Sequence, residues 1–230
     1  MPYLHHQPFW LGTLVDFPNS DFTDTNITWI SATVFEINGW EFYLKQTKLN
    51  GRDSIAGKLT PTDPTGTGNS ASVDTVTKKT TTTVWTFSYE FTSSLLPPGF
   101  AAPQKSVRLY TANNVISPAY GILRGPYMVS KQAVLITAGS IVRFWYKGDG
   151  GEDAYDIFGY LLNTDTGSTV TLVNRSGTDA TGETPWTEVA VKVVNTGTYK
   201  FVFINGSWDF TGGTVTGASM YICGVRVQTG

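Results

Sequence analysis

Short runs of alternating apolar and polar residues recur along the second half of the chain. They occur in IVRFWYKG, WTEVAVKVV, TYKFVFING and MYICGVRVQ, where an extended backbone gathers the apolar residues on one face. Helical periodicity is almost absent between them. In the last run, alternation predicts one apolar face made of Tyr221, Cys223, Val225 and Val227. The pattern predicts antiparallel β-strands with one buried face and one wetter face.

The first half of the chain has fewer strand signals, separated by longer loops. Residues Ile27–Phe35 and Trp40–Leu49 are predicted strands joined by a turn at Asn38-Gly39. A stretch rich in Gly, Pro, Thr and Ser near residues 50–78 predicts a long surface loop, and strand character resumes at Lys79–Phe91 and in SVRLYTA. Further turns are predicted at Asn50-Gly51, Asn205-Gly206 and Gly212-Gly213.

These elements predict an all-β protein, an antiparallel β-sandwich with an extended N-terminal arm. Residues 1–25 are the predicted arm and residues 26–230 a single sandwich domain, with a linker to a second domain in the Pro/Thr/Gly loop as the alternative. The arm carries aromatic residues without strand alternation. We expect the arm to dock on the chain's own sandwich or on a neighbouring copy, through Tyr3, Phe9, Trp10 and Phe17.

Composition restricts the partners more than it restricts the fold. Charged residues make up 15% of the 230 residues and the net charge is −2, so nothing favours nucleic acid or an anionic membrane. The single cysteine, Cys223, excludes an intrachain disulfide and is predicted to be a small buried side chain. We find neither a secretory signal nor the run of about 20 apolar residues that a membrane span needs. The expected protein is a soluble cytoplasmic product that reaches the outside by lysis, particle assembly or signal-less secretion.

The sequence offers little for catalysis. Its only histidines, His5 and His6, lie in the arm with no nucleophile beside them. The chain has no G-x-S-x-G elbow, no phosphate-binding glycine loop and no HExxH motif. Four acids do lie close together, at Asp149, Glu152, Asp153 and Asp156. The flanking glycines predict a wet loop rather than the apolar setting of a glycosidase acid, so we predict that the chain is not an enzyme.

The same acidic loop suits a calcium ion better than it suits catalysis. Asp149, Glu152 and Asp153, joined by Asp209, offer carboxylate oxygens, and a glycine-rich turn lets backbone carbonyls converge on a cation. The spacing matches no fixed calcium motif. The alternative is a set of solvated turn carboxylates, with Asp153 or Asp156 bonding backbone amides. No other cofactor is expected.

Aromatic residues beside these loops raise the question of a sugar ligand. The candidate stacking rings are Trp145, Tyr155, Tyr160, Trp186 and Trp208, and Asp209 is a candidate acceptor for sugar hydroxyls. Trp208 has the best case for exposure because it stands in a Gly-rich turn. The alternative assigns most of these rings to the packing of the sandwich.

Three segments carry a family resemblance: RGPYMVSKQAVLITAGSIVRFWYKG, GGEDAYDIFGYLLNTDTGSTVTLVN and GTYKFVFINGSWDFTGGTVTGASMYI. The stretch Ser106–Val227 that contains them resembles a jelly-roll, lectin-like module of tailed-phage virion proteins, cyanophages among them, and of large bacterial surface adhesins. Upstream, GWEFYLKQTKLNGRDSIAGKLTPTDP resembles the opening of the same unit. Gly139-Ser140 and Ile222-Cys223 stand where such modules usually have an acidic residue, which weakens any implied calcium site.

The resemblance implies a jelly-roll fold and three candidate functions. The first is a non-enzymatic virion structural protein of a tailed phage, a capsid decoration or a tail or fibre component. It would be assembled through the arm with other virion proteins and with copies of itself, a trimer by analogy with other fibres. The alternative is an extracellular or cell-surface adhesin module that binds glycans. The third candidate is a glycan-cleaving enzyme, and a jelly roll alone does not choose among them.

Overall fold

The computed structural model describes residues 13–15, 17–45, 47, 85–113, 122–150, 154–177, 183–208 and 217–229. Within these ranges the chain forms thirteen β-strands and no helix, so none of the described residues forms a helix able to span a membrane. The strands are β1 (Thr28–Ser31), β2 (Val34–Ile37), β3 (Trp40–Tyr43), β4 (Trp85–Thr92), β5 (Ser106–Asn113), β6 (Ile122–Ser130), β7 (Val134–Ile136), β8 (Ile141–Asp149), β9 (Ala154–Asn163), β10 (Thr169–Gly177), β11 (Thr187–Lys192), β12 (Gly197–Trp208) and β13 (Ala218–Gln228).

The strands form two antiparallel sheets that pack face to face. The eight-stranded sheet has the order β1-β2-β3-β6-β12-β9-β10, with β7 paired to β12. The five-stranded sheet has the order β11-β8-β13-β5-β4. From β5 onward the chain crosses repeatedly between the sheets, for example from β7 to β8, from β8 to β9 and from β11 to β12. The structure confirms the predicted all-β jelly-roll sandwich.

The alternating apolar residues fill the space between the sheets, as predicted. Val142 and Phe144 of β8 are buried, and so are Phe201 and Phe203 of β12. The rings of Phe144 and Phe203 meet across the sandwich with their centroids 5.0 Å apart, edge to face. The one cysteine is unpaired, so burial of these side chains provides the main stabilisation of the fold.

Strand β13 departs from strict alternation at a β-bulge. Its pairing with β8 shifts register after Cys223, and Gly224 has a φ of 64°. Val225 and Val227 belong to the core between the sheets, whereas Cys223 lies on the opposite face of the strand. The predicted common face of these three residues with Tyr221 is therefore wrong. The bulge inserts an extra residue and reverses the side that each later residue faces.

The predicted strand Ile27–Phe35 is in fact two strands. β1 and β2 form an antiparallel hairpin that turns at Ala32 and Thr33. The hydroxyl of Ser31 accepts a hydrogen bond from the backbone N–H of Thr33 at 3.3 Å. Local bonding of this kind competes with a continuous strand, and the alternation of side chains does not reveal it.

The turn predicted at Asn38-Gly39 is confirmed and joins β2 to β3. Gly39 has a φ of 80°. A Cβ atom at this position would overlap the backbone oxygen of Pro18, so both the conformation and the space require glycine.

β4 and β5 confirm strands within Lys79–Phe91 and SVRLYTA. The loop near 50–78 and the turns at 50–51 and 212–213 lie outside the described residues.

Asn205-Gly206 does not form the predicted turn, because both residues lie within β12. Asn205 is buried and faces the five-stranded sheet, where its side-chain amide donates to the Thr111 hydroxyl at 2.9 Å and the Ala218 carbonyl at 3.0 Å. Gly206 allows β9 to approach, since a Cβ there would overlap the backbone oxygen of Asp156. The pair is an inter-sheet contact rather than a turn.

The described part of the predicted arm packs on the chain's own sandwich. Phe17 is buried with its ring centroid 5.1 Å from that of Trp40, and Phe22 lies 5.5 Å from the same indole. The backbone N–H of Val15 donates to the Val227 carbonyl at 2.9 Å. Phe17 is therefore a core residue of its own chain. Tyr3, Phe9 and Trp10 lie outside the described residues.

Candidate functional site

A group of aromatic and charged side chains, most of them partly exposed but Lys147 and Tyr221 buried, occupies the outer face of the five-stranded sheet. Alternation on β5, β8 and β13 points every second side chain away from the core, and the cross-strand pairs bring these side chains into rows. One row contains Tyr110, Ser219 and Asp149. We call this group the outer platform; it comprises Arg108, Tyr110, Trp145, Lys147, Asp149, Trp186 and Tyr221.

Arg108 stands at the centre of the contacts on one side of the outer platform. Its guanidinium lies 4.4 Å from the ring centroid of Tyr110 and 5.7 Å from that of Tyr221. The Nε atom donates to the Ser219 hydroxyl at 3.0 Å, and Nη1 lies 3.5 Å from a carboxylate oxygen of Glu90. These contacts hold the two tyrosines in place, so this side of the outer platform is ordered before any ligand arrives.

Lys147 and Trp186 form the other side of the outer platform. The rings of Trp186 and Tyr221 have centroids 6.2 Å apart, edge to face. Lys147 pairs with Tyr221 across the strands and forms an ion pair with Glu183. Burial lowers the pKa of the Lys147 amine, and the nearby Asp149 carboxylate opposes this effect. The Trp186 Nε1 donor is buried without an acceptor among the described residues.

Two residues predicted for ligand or metal binding, Trp145 and Asp149, lie on this platform. Trp145 is partly exposed and pairs across the strands with Cys223 and Glu188. Asp149 is partly exposed at the end of β8. The sequence analysis missed Arg108 and Tyr110, although their two-residue spacing in SVRLYTA places them on the same side of a strand.

The ligand role predicted for Tyr155 is wrong, because its side chain is only 4% exposed and belongs to the core. The ring is enclosed by backbone: a Cβ at Gly148 would lie 2.9 Å from it, and one at Gly177 would overlap it. Trp208 is the last residue of β12 rather than part of a turn. Asp209, Glu152 and Asp153 lie outside the described residues.

The acids that are close in sequence separate to opposite faces of the sandwich. Asp149 is on the outer platform, whereas Asp156 is buried on the outer face of the eight-stranded sheet. There its carboxylate lies 2.6 Å from Nη2 of Arg124 and accepts from the Ser176 hydroxyl at 2.9 Å. Asp149 and Asp156 thus form no glycosidase pair. The described ranges contain no group of three or more potential metal ligands, and the calcium site with Glu152 and Asp153 stays a prediction.

The outer face of the eight-stranded sheet is closed, in contrast to the outer platform. A second apolar cluster covers it and includes Tyr127, Tyr160 and Val202, all buried. Tyr43 stacks on Tyr127 with ring centroids 4.7 Å apart and planes at 5°. The rings of this cluster are therefore enclosed, whereas Tyr110, Trp145 and Trp186 of the outer platform are partly exposed; on the eight-stranded sheet the edge-strand ring of Trp29 is 52% exposed.

Cys223 is predicted to be inert in the folded protein. It is fully buried below the outer platform, and burial, aided by the Asp21 carboxylate, raises the pKa of its thiol to about 12. The thiol therefore stays protonated at neutral and mildly alkaline pH, and the nucleophilic thiolate is scarce. We expect a chromogenic disulfide reagent to leave native protein unmodified and to label one thiol per chain in denaturant. Rapid labelling of the native protein would contradict this.

No protein-family model and no curated protein sequence matches the chain. Among solved structures it is similar to a carbohydrate-binding module specific for non-crystalline cellulose, with a TM-score of 0.36 and 11% identity over 62% of this chain and 88% of the other. It is also similar to the K3 cleaved adhesin domain of Lys-gingipain from Porphyromonas gingivalis, with a TM-score of 0.39 and 15% identity over 64% of this chain and 91% of that domain. A third is a carbohydrate-binding module of the β-sandwich superfamily, with a TM-score of 0.39 and 10% identity over 94% and 86% of the two chains. These likenesses are distant and carry no argument about a ligand.

Proposed function

We propose that this chain is a non-catalytic carbohydrate-binding module whose ligand lies on the outer platform. The observation that carries the proposal is a pair of partly exposed indoles set among charged groups, Trp145 on β8 and Trp186 directly before β11. An indole face packs against the C–H face of a sugar ring, and carboxylates, guanidinium groups and hydroxyls bond the sugar hydroxyls at its edge. Asp149 and Arg108 are placed to do so.

Rigidity is a second reason to favour binding at this place. Tyr110, Trp145 and Tyr221 stand on paired strands, and Trp186 directly precedes β11. Arg108 and Tyr221 are braced by contacts with their neighbours. A preformed surface spends little free energy on ordering side chains when a ligand binds.

The test is glycan binding by the whole chain and by single-ring variants. An array of neutral and acidic oligosaccharides identifies a bound glycan, and calorimetry then compares wild type with Trp145→Ala and Trp186→Ala. Removing a stacking indole is expected to weaken binding by about tenfold or more. Trp29→Ala is the matched control, because that indole is 52% exposed on β1 in the other sheet. Its affinity is expected to equal that of wild type.

Two outcomes would contradict the proposal. One is the absence of binding to any glycan on the array by correctly folded protein. The other is wild-type affinity in both Trp145→Ala and Trp186→Ala, which would place the ligand elsewhere on the chain. Circular dichroism of each variant confirms that a loss of binding is not a loss of fold.

The second candidate is a virion structural protein built from copies of the chain. It is favoured by the edge strand β1, where Trp29 and Ile30 are 52% and 59% exposed beside Ile27 at 37%. Exposed apolar edge strands are surfaces at which chains associate. Light scattering separates the candidates: a single-chain mass with glycan binding favours the first, and a stable oligomer without glycan binding favours the second.

A further inference from the structure

Two arginines stand opposite one another on the outer face of the five-stranded sheet. Arg143 of β8 and Arg226 of β13 are cross-strand partners, placed in register by the bulge at Gly224. Residues directly opposite on paired strands have Cα atoms about 5 Å apart, and like charges at such positions destabilise the sheet. An arrangement that costs stability needs a compensating interaction.

Among the described residues, a carboxylate lies within ion-pair distance of only one member of this pair. Nη1 of Arg143 lies 3.4 Å from Glu188, and its Nε donates to the Gln228 amide oxygen at 3.2 Å. Arg226 has no carboxylate within ion-pair distance among the described residues; its guanidinium instead lies 5.5 Å from the ring centroid of Phe100. Arg108 and Lys147 of the outer platform, by contrast, each have a glutamate partner. The Arg143–Arg226 pair is thus a local excess of positive charge.

Aromatic rings stand on both sides of the two guanidinium groups. Trp145 is two residues from Arg143 on the same face of β8, one row closer to the centre of the outer platform. Phe100 packs over Gly224, where a Cβ atom would lie 2.6 Å from its ring. The charge excess therefore lies one row from a ring proposed to stack on sugar.

We propose that the outer platform binds an acidic glycan, with a carboxylate or sulfate group held between Arg143 and Arg226 and its sugar ring against Trp145. This rests on the proposed function and adds the class of ligand. Arginine suits the role because its planar N–H fork pairs with both oxygens of a carboxylate or with two oxygens of a sulfate. The bound anion also offsets the repulsion between the two arginines.

The experiment uses matched ligands that differ only in charge. The probes are polygalacturonate, alginate and hyaluronan, each with its carboxyl-reduced neutral form, and chondroitin sulfate with its desulfated form. Wild type is expected to bind at least one acidic probe about tenfold more tightly than its neutral form. That preference should shrink as salt is added, because the contact is ionic. A preference for a polyuronate over its carboxyl-reduced form identifies a carboxylate as the bound anion, and a preference for chondroitin sulfate over its desulfated form identifies a sulfate.

The variant Arg226→Gln tests the assignment to this pair. It is expected to lose about tenfold in affinity for the acidic probe and to keep its affinity for the neutral one. Lys192→Gln, which removes the same charge from an exposed position on β11, is the control and is expected to bind as wild type does. Thermal melting confirms that both variants are folded.

A failure of the acidic-glycan assignment can be distinguished from a failure of the proposed function. Equal binding of acidic and neutral forms, or an unchanged preference in Arg226→Gln, overturns the acidic-glycan assignment and leaves the proposed function standing. Absence of binding to every probe on this panel and to every neutral glycan on the array overturns both. Loss of all binding in Trp145→Ala, with loss of only the acidic preference in Arg226→Gln, supports both.

Discussion

Asp156→Asn is expected to lower the free energy of unfolding by about 3–5 kcal/mol, as is typical when one partner of a buried ion pair is removed. The Arg124 and Asp156 side chains are 1% and 2% exposed, with Nη2 and Oδ2 separated by 2.6 Å. Burial lowers the pKa of Arg124, and the Asp156 carboxylate opposes that shift. The substitution leaves a guanidinium in the interior without its neutralising carboxylate, and urea denaturation measures the loss.

Two further variants make this prediction specific. Glu90→Gln breaks the exposed pair with Arg108, where the side chains are 29% and 52% exposed, and is expected to cost no more than about 1 kcal/mol. The double variant Arg124→Met/Asp156→Leu replaces both charges with apolar groups beside the cluster around Tyr127, and is expected to recover much of the lost stability. A loss below about 1 kcal/mol in Asp156→Asn would mean that water reaches the pair.

Trp40→Ala is expected to destabilise the fold by about 3–5 kcal/mol through the cavity it leaves. The Trp40 ring is fully buried, with centroids 5.1 Å from Phe17, 5.5 Å from Phe22 and 6.1 Å from Phe203. Its Nε1 atom also donates to the Asn19 carbonyl at 3.3 Å. One side chain therefore holds residues 17–22 against the sandwich, and its removal weakens both the core and this attachment.

Chemical denaturation and hydrogen exchange measure the two effects of Trp40→Ala. The amide of Val225, which donates to the Ser20 carbonyl at 2.9 Å, is expected to exchange faster because it depends on the attached segment. Trp29→Ala removes an exposed indole and is expected to cost less than about 1 kcal/mol. Equal losses of unfolding free energy in Trp40→Ala and Trp29→Ala would contradict the role assigned to Trp40 in the core.

Sequence patterning located strands in the second half of the chain but did not determine which side every residue faces. The alternation around Phe144 and Phe203 predicted the core residues correctly, because both strands keep a regular pleat. On β13 the same reasoning failed after Cys223, because a bulge changes the register without changing the apolar composition of the run. The pair Asn205-Gly206 was predicted to be a turn because the preference of Asn and Gly for positive φ is a property of these residues alone. Its position within β12 instead follows from the contacts of Asn205 with Thr111 and Ala218.

In the candidate site, too, some residues could be predicted from the sequence and others only from the tertiary structure. Trp145 and Asp149 could be selected from the sequence because they stand beside a recognisable strand and loop. Arg108 and Tyr110 were not predicted, since nothing in the sequence tells that β13 lies between β5 and β8 and so brings these residues beside Trp145 and Asp149. Tyr155 was predicted to be available because the sequence does not show that Gly148 and Gly177, on two other strands, make room for its buried ring.

Local chemistry in this chain therefore determines the all-β class, the strands of its second half and the Asn38-Gly39 turn, since period-two alternation and positive φ depend on residues that are close in sequence. Tertiary structure alone decided that Asp149 and Asp156 face opposite ways, because the chain passes from one sheet to the other between them. It also brought Arg143 beside Arg226, through a pairing between strands far apart in the chain. Strand pairing is set by the packing of the whole sandwich, and the composition of a single segment contains no information about its partner.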